Sequence, residues 1–287
     1  MSFVLVSDAT LDLPVDLVEQ FDIKVVPMMF NLDGKEYLHY PDERNMSNAD
    51  FYQALKDGKT SSTSQINPMT YVEFMTPILE EGNDILYICF TSGLSGTYQS
   101  ALLAKNMLEE DFPERKIEVV DSLCASAGQG YFVYLLALEK EKGLSLEELT
   151  DWALKHRNRI AHWFTVDDLF HLQRGGRLSF AEAMLGSALK IKPIISVDEK
   201  GALYTENKVR GNKKAVEYMI SKINSDIDES QLTIFVAHGD AESRAEEFKK
   251  KILEKTPVEN IITTKIGPII GSHTGPGMLA VLFMEKE

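Results

Sequence analysis

The residues best suited to chemistry lie in three loops rich in glycine and hydroxyls. Thr91-Ser92-Gly93-Leu94-Ser95-Gly96-Thr97 falls between the apolar run Ile85 to Phe90 and a helical stretch opening at Tyr98. A strand-to-helix turn of this kind gathers free backbone N–H groups at the positive end of a helix dipole, a site suited to a carboxylate or phosphate. Ser95 or Thr97 could instead simply cap the helix. Thr60-Ser61-Ser62-Thr63-Ser64-Gln65 reads as a second polar loop, of neutral donors, after the helical pattern of Phe51 to Leu55. Gly58-Lys59-Thr60 invites a phosphate-loop reading, which fails because Gln53 stands where the first glycine belongs and a helix, not a strand, precedes it. In the third loop, Gly267 to Gly277, glycines and prolines fix a tight backbone path around His273, whose imidazole could donate to an anion.

Ser95, Asp121 and His273 occur in the chain order of an α/β-hydrolase triad, so a serine hydrolase is one alternative. The strained elbow of those enzymes needs a small residue two places after the nucleophile, and Thr97 stands there. His39, His156, His162, His171, His238 and His273 are scattered without metal-ligand spacing, so no metal and no cofactor is expected. Arg174-Gly175-Gly176-Arg177 forms a turn before a helix that Ser179 and Glu182 can cap. Its arginines are either solvated or positioned to dock an acidic partner. Met184, Leu185 and Leu189 beside it read as core or as the lining of an apolar cavity.

In the first half, β-like runs at Phe3 to Val6, Ile23 to Phe30, Ile85 to Phe90 and Ile117 to Val120 alternate with helical patterns, which predicts a parallel sheet in a three-layer α/β/α lobe. Asp33-Gly34 marks a small hairpin, expected to be peripheral. Ser145 and Glu148 form a capping box opening the helix that closes this lobe. Later runs (Ile194 to Val197, Ala202 to Val209, Leu232 to Ala237, Ile261 to Lys265 and Met278 to Met284), with helices from Lys213 and Glu242, predict an α+β lobe with a mixed sheet. The expected division is residues 1–160, carrying the Thr63 and Ser95 loops, and 161–287, carrying the His273 loop, with the ligand between them. Hydrophobic residues at 44 % and charged residues at 26 % suffice for a substantial core. The net charge of −14 would repel nucleic acid and anionic lipid, leaving at most transient membrane contact. Met1 leads straight into apolar Phe3 to Val6 without a basic region, no run is long enough to span a bilayer, and the two cysteines read as structural thiols. The expected location is the cytoplasm.

Taken in order, Ser7-Asp8, Thr63-Ser64-Gln65, Leu94-Ser95-Gly96-Thr97, Asp121-Ser122, Gly175-Gly176-Arg177, Lys192-Pro193 and Gly271 to Gly277 resemble the DegV family over essentially the whole chain. The resemblance implies a carrier, not an enzyme. It would hold one long-chain fatty acid, such as palmitate, stearate or oleate, in an apolar tunnel between two α/β lobes. It would present the acid to a separate ATP-binding fatty acid kinase subunit for acyl phosphate formation. Thr63 and Ser95 would hold the carboxylate with His273 in the head-group network. Ser64, Gly96, Thr97, Gly275 and Gly277 would support them, and Arg174 and Arg177 would face the kinase subunit. Ala9 departs from the serine that members often carry after the aspartate. A binding module for another anionic metabolite is the remaining alternative.

Overall fold

The computed structural model describes residues 2–179 and 191–287. Strands β1 (Phe3–Asp8), β2 (Lys24–Val26), β6 (Asp84–Cys89) and β7 (Ile117–Asp121) form a parallel sheet in the order β2-β1-β6-β7. Side chains alternate along a strand, so each buried strand feeds two cores. Val6, Ile85, Tyr87 and Cys89 pack under helices α3 (Pro68–Glu80) and α4 (Thr97–Asp111). Leu5, Leu86 and Ile88 pack on the opposite side, under α5 (Ala127–Glu141) and α6 (Leu146–His156). The expected three-layer arrangement is therefore present. The Ser145–Glu148 capping box opens α6 in both of its hydrogen bonds.

Pro27 divides the run Ile23 to Phe30 between two sheets, since proline cannot donate to a strand ladder. On its far side β3 (Met28–Leu32) pairs with β4 (Lys35–His39) through a turn in which Asp33 and Gly34 take φ of +54° and +83°. This hairpin is not peripheral. Its other neighbour is β5 (Ser61–Thr63), so the segment expected as a polar loop is an edge strand that carries Thr63 against Phe30. Helices α1 (Val15–Gln20) and α2 (Asn48–Lys56) complete this half.

The third and largest sheet has six strands in the order β10-β9-β8-β13-β11-β12. They are β8 (Ile160–Thr165), β9 (Ile191–Val197), β10 (Leu203–Arg210), β11 (Thr233–His238), β12 (Asn260–Lys265) and β13 (Leu279–Met284). Only β11 and β12 pair in parallel, so the sheet is mixed as expected. Beyond β8, α7 (Phe170–Arg174) leads into the arginine turn. The outer face is covered by α8 (Asn212–Asp226) and α9 (Glu242–Lys255). The inner face packs on α5, where Tyr131 meets Phe235 edge to face. One helix thus serves both sheets, and α10 (Pro268–Thr274) crosses back to β5 and α2. The Ser179–Glu182 cap and the Met184, Leu185 and Leu189 lining lie outside the described residues.

Candidate functional site

Thr63, at the end of β5, and His273, on α10, come from opposite halves of the chain, yet Thr63 Oγ1 lies 2.8 Å from His273 Nε2. A second pair holds the two elements in register: the hydroxyls of Ser61 and Ser272 are 2.6 Å apart, and Ser61 also donates to the Asn31 carbonyl. Burial, helped by the nearby Arg177 charge, pushes the His273 pKa down to about 4, so the ring is neutral near pH 7. Its Nδ1 is buried and bonded to no protein atom among the described residues. A neutral imidazole protonated at Nε2 donates to Thr63 Oγ1 and leaves the threonine hydrogen free to donate onward.

Ser95 reaches the same site from the β6–α4 loop. The cap of α4 is Gly96, not Ser95 or Thr97, and Gly96 offers no side chain. Ser95 Oγ instead accepts from the Thr97 amide and pairs with Thr97 Oγ1 at 2.8 Å, both within the turn. Gln65 ties this turn to the Thr63 strand, because a Cβ on Gly96 would stand 2.2 Å from Gln65 Oε1. Ser64, by contrast, is exposed and does not line the cavity described below.

The arginine turn divides. Arg174 is exposed and bonded to His171 Nδ1 at 2.9 Å. Arg177 is half-buried in the cavity wall, where its Nε donates to the Leu94 carbonyl and Nη1 to the Gly175 carbonyl. Among the described residues no carboxylate pairs with it. Gly175 lets the turn lie flat on the imidazole: a Cβ there would come within 2.2 Å of His273 Nδ1. Sequence reasoning turns both arginines outward, and the clue against it is that a glycine pair lets the chain double back. Gly275 and Gly277, at φ of +68° and +90°, hold the far end of the His273 loop, and Arg244 donates to the Gly277 carbonyl at 2.6 Å.

Thr63, Ser95, His273 and Arg177 border one cavity. The rest of its wall is largely apolar, from Phe90, Leu94, Phe164, Met278, Ala280 and Leu282. Other polar groups in the wall are already engaged. Ser126 donates to Asp12, Thr274 to the Ile270 carbonyl, and Thr10 to Gln129. His162 accepts from the Ala125 amide and bonds the Ile160 carbonyl. Neither Ser95 nor Asp121 bonds His273, and Asp121 Oδ1 accepts the amides of Ser92 and Leu123, so the three residues do not form a bonded triad. No group of three or more His, Cys, Asp or Glu among the described residues could hold a metal.

The buried titratable groups predict how stability varies with pH. His39, His162 and His273 are each pushed to about 4, chiefly by burial, from an ordinary 6.5. Between pH 6.5 and 4 the unfolded chain takes up protons that the folded one refuses, so stability falls as pH falls through this window. Asp12 acts in the opposite sense. Burial raises it from 3.8 to about 7, so its contribution falls as pH rises between those values. With three groups against one, the thermal midpoint is expected to rise from pH 4 to 6.5, and more steeply in Asp12→Asn. A flat profile in calorimetry would contradict this burial pattern.

Comparison with known proteins follows the same lines. The family model described as "Uncharacterised protein, DegV family" matches residues 2–286. A DegV domain-containing protein of Clostridium perfringens is 40 % identical over 283 residues, which cover 98 % of this chain and 97 % of that protein. Among solved structures, a DegV family protein from Thermus thermophilus, described for its fatty acid binding, superimposes with a TM-score of 0.87 at 30 % identity, covering 100 % of both chains. DegV from Bacillus subtilis, described as a fatty acid binding protein, gives 0.82 at 28 % identity, again over 100 % of both. With its fold, its motif order and its full-length match all in agreement, the chain belongs to the DegV family.

Proposed function

We propose that this protein is a carrier for one long-chain fatty acid, with the tail in the inter-lobe cavity and the carboxylate on Thr63 and Ser95. The observation that carries this reading is the distribution of polarity. Most of the wall is apolar, and its other hydroxyls and His162 are engaged within the protein. Thr63, Ser95, neutral His273 and Arg177, which no described carboxylate pairs, converge at one place. About fourteen methylenes at roughly 0.8 kcal/mol each supply on the order of 11 kcal/mol of gross burial, before ordering and association costs. The tail drives affinity, and the hydroxyls orient the head group. Arg177 adds a charge-assisted donor that would also suit the extra negative charge of an acyl phosphate. Gly96 and Thr97 shape the Ser95 turn, Gly275 and Gly277 hold the His273 loop, and Ser64 has no direct role. Arg174, on the exposed side, is left to meet a partner.

The division of labour in this proposal is residues 1–160 for Thr63 and Ser95 and 161–287 for His273. The protein works in the cytoplasm, where its two buried thiols stay reduced. A separate kinase supplies ATP and phosphorylates the presented carboxylate. No helix among the described residues is long and apolar enough to cross a membrane, and the acid would be acquired by transient contact. Denaturing extraction of the purified protein followed by mass spectrometry is expected to return about one fatty acid per chain. An empty extract, with no uptake of added fatty acids, would sink the proposal, and ATP consumption by the protein alone with fatty acid would remove the separate kinase.

Chain length follows from β13. Met278, Ala280 and Leu282 face the cavity at alternate positions, which sets Leu282 about 14 Å beyond Met278 along the strand. Leu282 pairs with His162 on the neighbouring strand β8. Leu282→Trp is expected to shift the extracted acids toward chains shorter by several methylenes, and an unchanged mass distribution would place the tail elsewhere.

A further inference from the structure

A second cleft lies between the lobes on the other side of the loop that follows β1. Asp12 separates the two spaces: it lines this cleft, while its Oδ2 accepts from Ser126, which lines the acyl cavity. The cleft is bordered by Asp12 and Asp16 from that loop and from α1, by His39 at the end of β4 and Glu43 beyond it, by Asn48 at the start of α2, and by Lys265 at the end of β12.

Two features mark it as more than a seam. The first is His39, which is 6 % exposed although its imidazole bonds no protein atom among the described residues. Gly267 brings it close to Asp12, since a Cβ on that glycine would lie 2.4 Å from His39 Nε2 and 3.0 Å from Asp12 Oδ1. Burial holds the ring neutral, so one of its nitrogens is an acceptor. The second is charge. Apart from Asp12, whose oxygens are taken by Ser126 and Gly267, two carboxyl groups, Asp16 and Glu43, meet one lysine, and among the described residues neither these carboxyls nor Lys265 take part in an ion pair. Glu43 accepts only the Asn48 amide, through Oε2 at 2.7 Å, and the buried Asn48 Oδ1 bonds no protein atom among the described residues.

We propose that this cleft is a binding site for a small protonated amine. The ammonium group would donate to the His39 nitrogen and the Glu43 carboxylate, with Asp16 at the rim adding attraction. The Asp16 and Glu43 carboxyls in its lining disfavour an anion and attract a small organic cation. The acyl cavity has the opposite preference, with Arg177 in its wall, so the two sites do not compete.

The test uses full-length protein as purified and ethanolamine hydrochloride as probe, followed through the imidazole resonance of His39 in carbon–proton NMR. The expected result is a saturable shift that weakens at least tenfold in Asp16→Asn/Glu43→Gln, while the thermal midpoint stays at the wild-type value. These substitutions lie at the rim and keep side-chain size, so the Asp12 contacts remain. A non-saturating shift, an equal shift with sodium chloride, or unchanged affinity in the double variant would each overturn the proposal. Loss of the midpoint would be resolved by Glu43→Gln alone, for which unchanged affinity again overturns it.

Discussion

Replacing Thr63 by valine and Ser95 by alanine together is expected to lower fatty acid affinity by about two to four orders of magnitude, since hydrogen bonds to a charged group contribute about 1.5–3 kcal/mol each. Valine keeps the shape of threonine, so the packing of β5 on β3 survives, and Ser95→Ala removes little more than a bond within its own turn. The tail still drives partition into the cavity, so binding weakens without vanishing. Competition against a fluorescent fatty acid measures the loss, and the acid recovered by extraction should fall with it. His273→Ala would act through Thr63, whose hydroxyl it holds, and so cost less than losing the hydroxyl itself. Wild-type affinity in the double variant would place the carboxylate elsewhere.

The second large effect is expected at a residue that never touches the cavity. Asp8 is fully buried at the end of β1 and accepts from the Thr10 amide, Tyr87 Oη at 2.8 Å, the Phe90 amide at 3.1 Å and Gln129 Nε2 at 3.4 Å. Tyr87 is bonded in turn to Tyr71 at 2.6 Å. The Asp8 side chain thus joins β1, the end of β6 and the start of α5. Asp8→Ala leaves the buried Thr10 and Phe90 amides without an acceptor, while Tyr87 keeps Tyr71 and Gln129 keeps Ser7, and is expected to cost about 3–5 kcal/mol, at roughly 1–3 kcal/mol for each unsatisfied donor plus the lost side-chain bonds. For a chain of this size that lowers the thermal midpoint by roughly 10 °C. Fatty acid affinity should fall too, because Phe90 and Thr10 line the cavity. A midpoint within a degree or two of wild type, read by calorimetry, would show that water replaces the lost carboxylate at little cost.

Much of this protein is legible in its amino-acid sequence. Alternation along Ile85 to Cys89 separates two cores, the Ser145–Glu148 pair starts a helix, and Asp33-Gly34 turns a hairpin. These are interactions between near neighbours, which spacing of two, three or four residues records directly. The order of separated motifs likewise marks the family, and with it Thr63, Ser95 and His273. Tertiary structure alone decided that the hairpin belongs to the site, that α5 is shared by both sheets, and that Arg177 turns into the cavity while Arg174 stays outside. It supplied the 2.8 Å contact by which Thr63 and His273, grouped by the family resemblance, meet across 210 residues, and it named the residues of the cavity wall. A pocket is made of residues distant along the chain, and such contacts leave no period in the sequence because nothing local requires them.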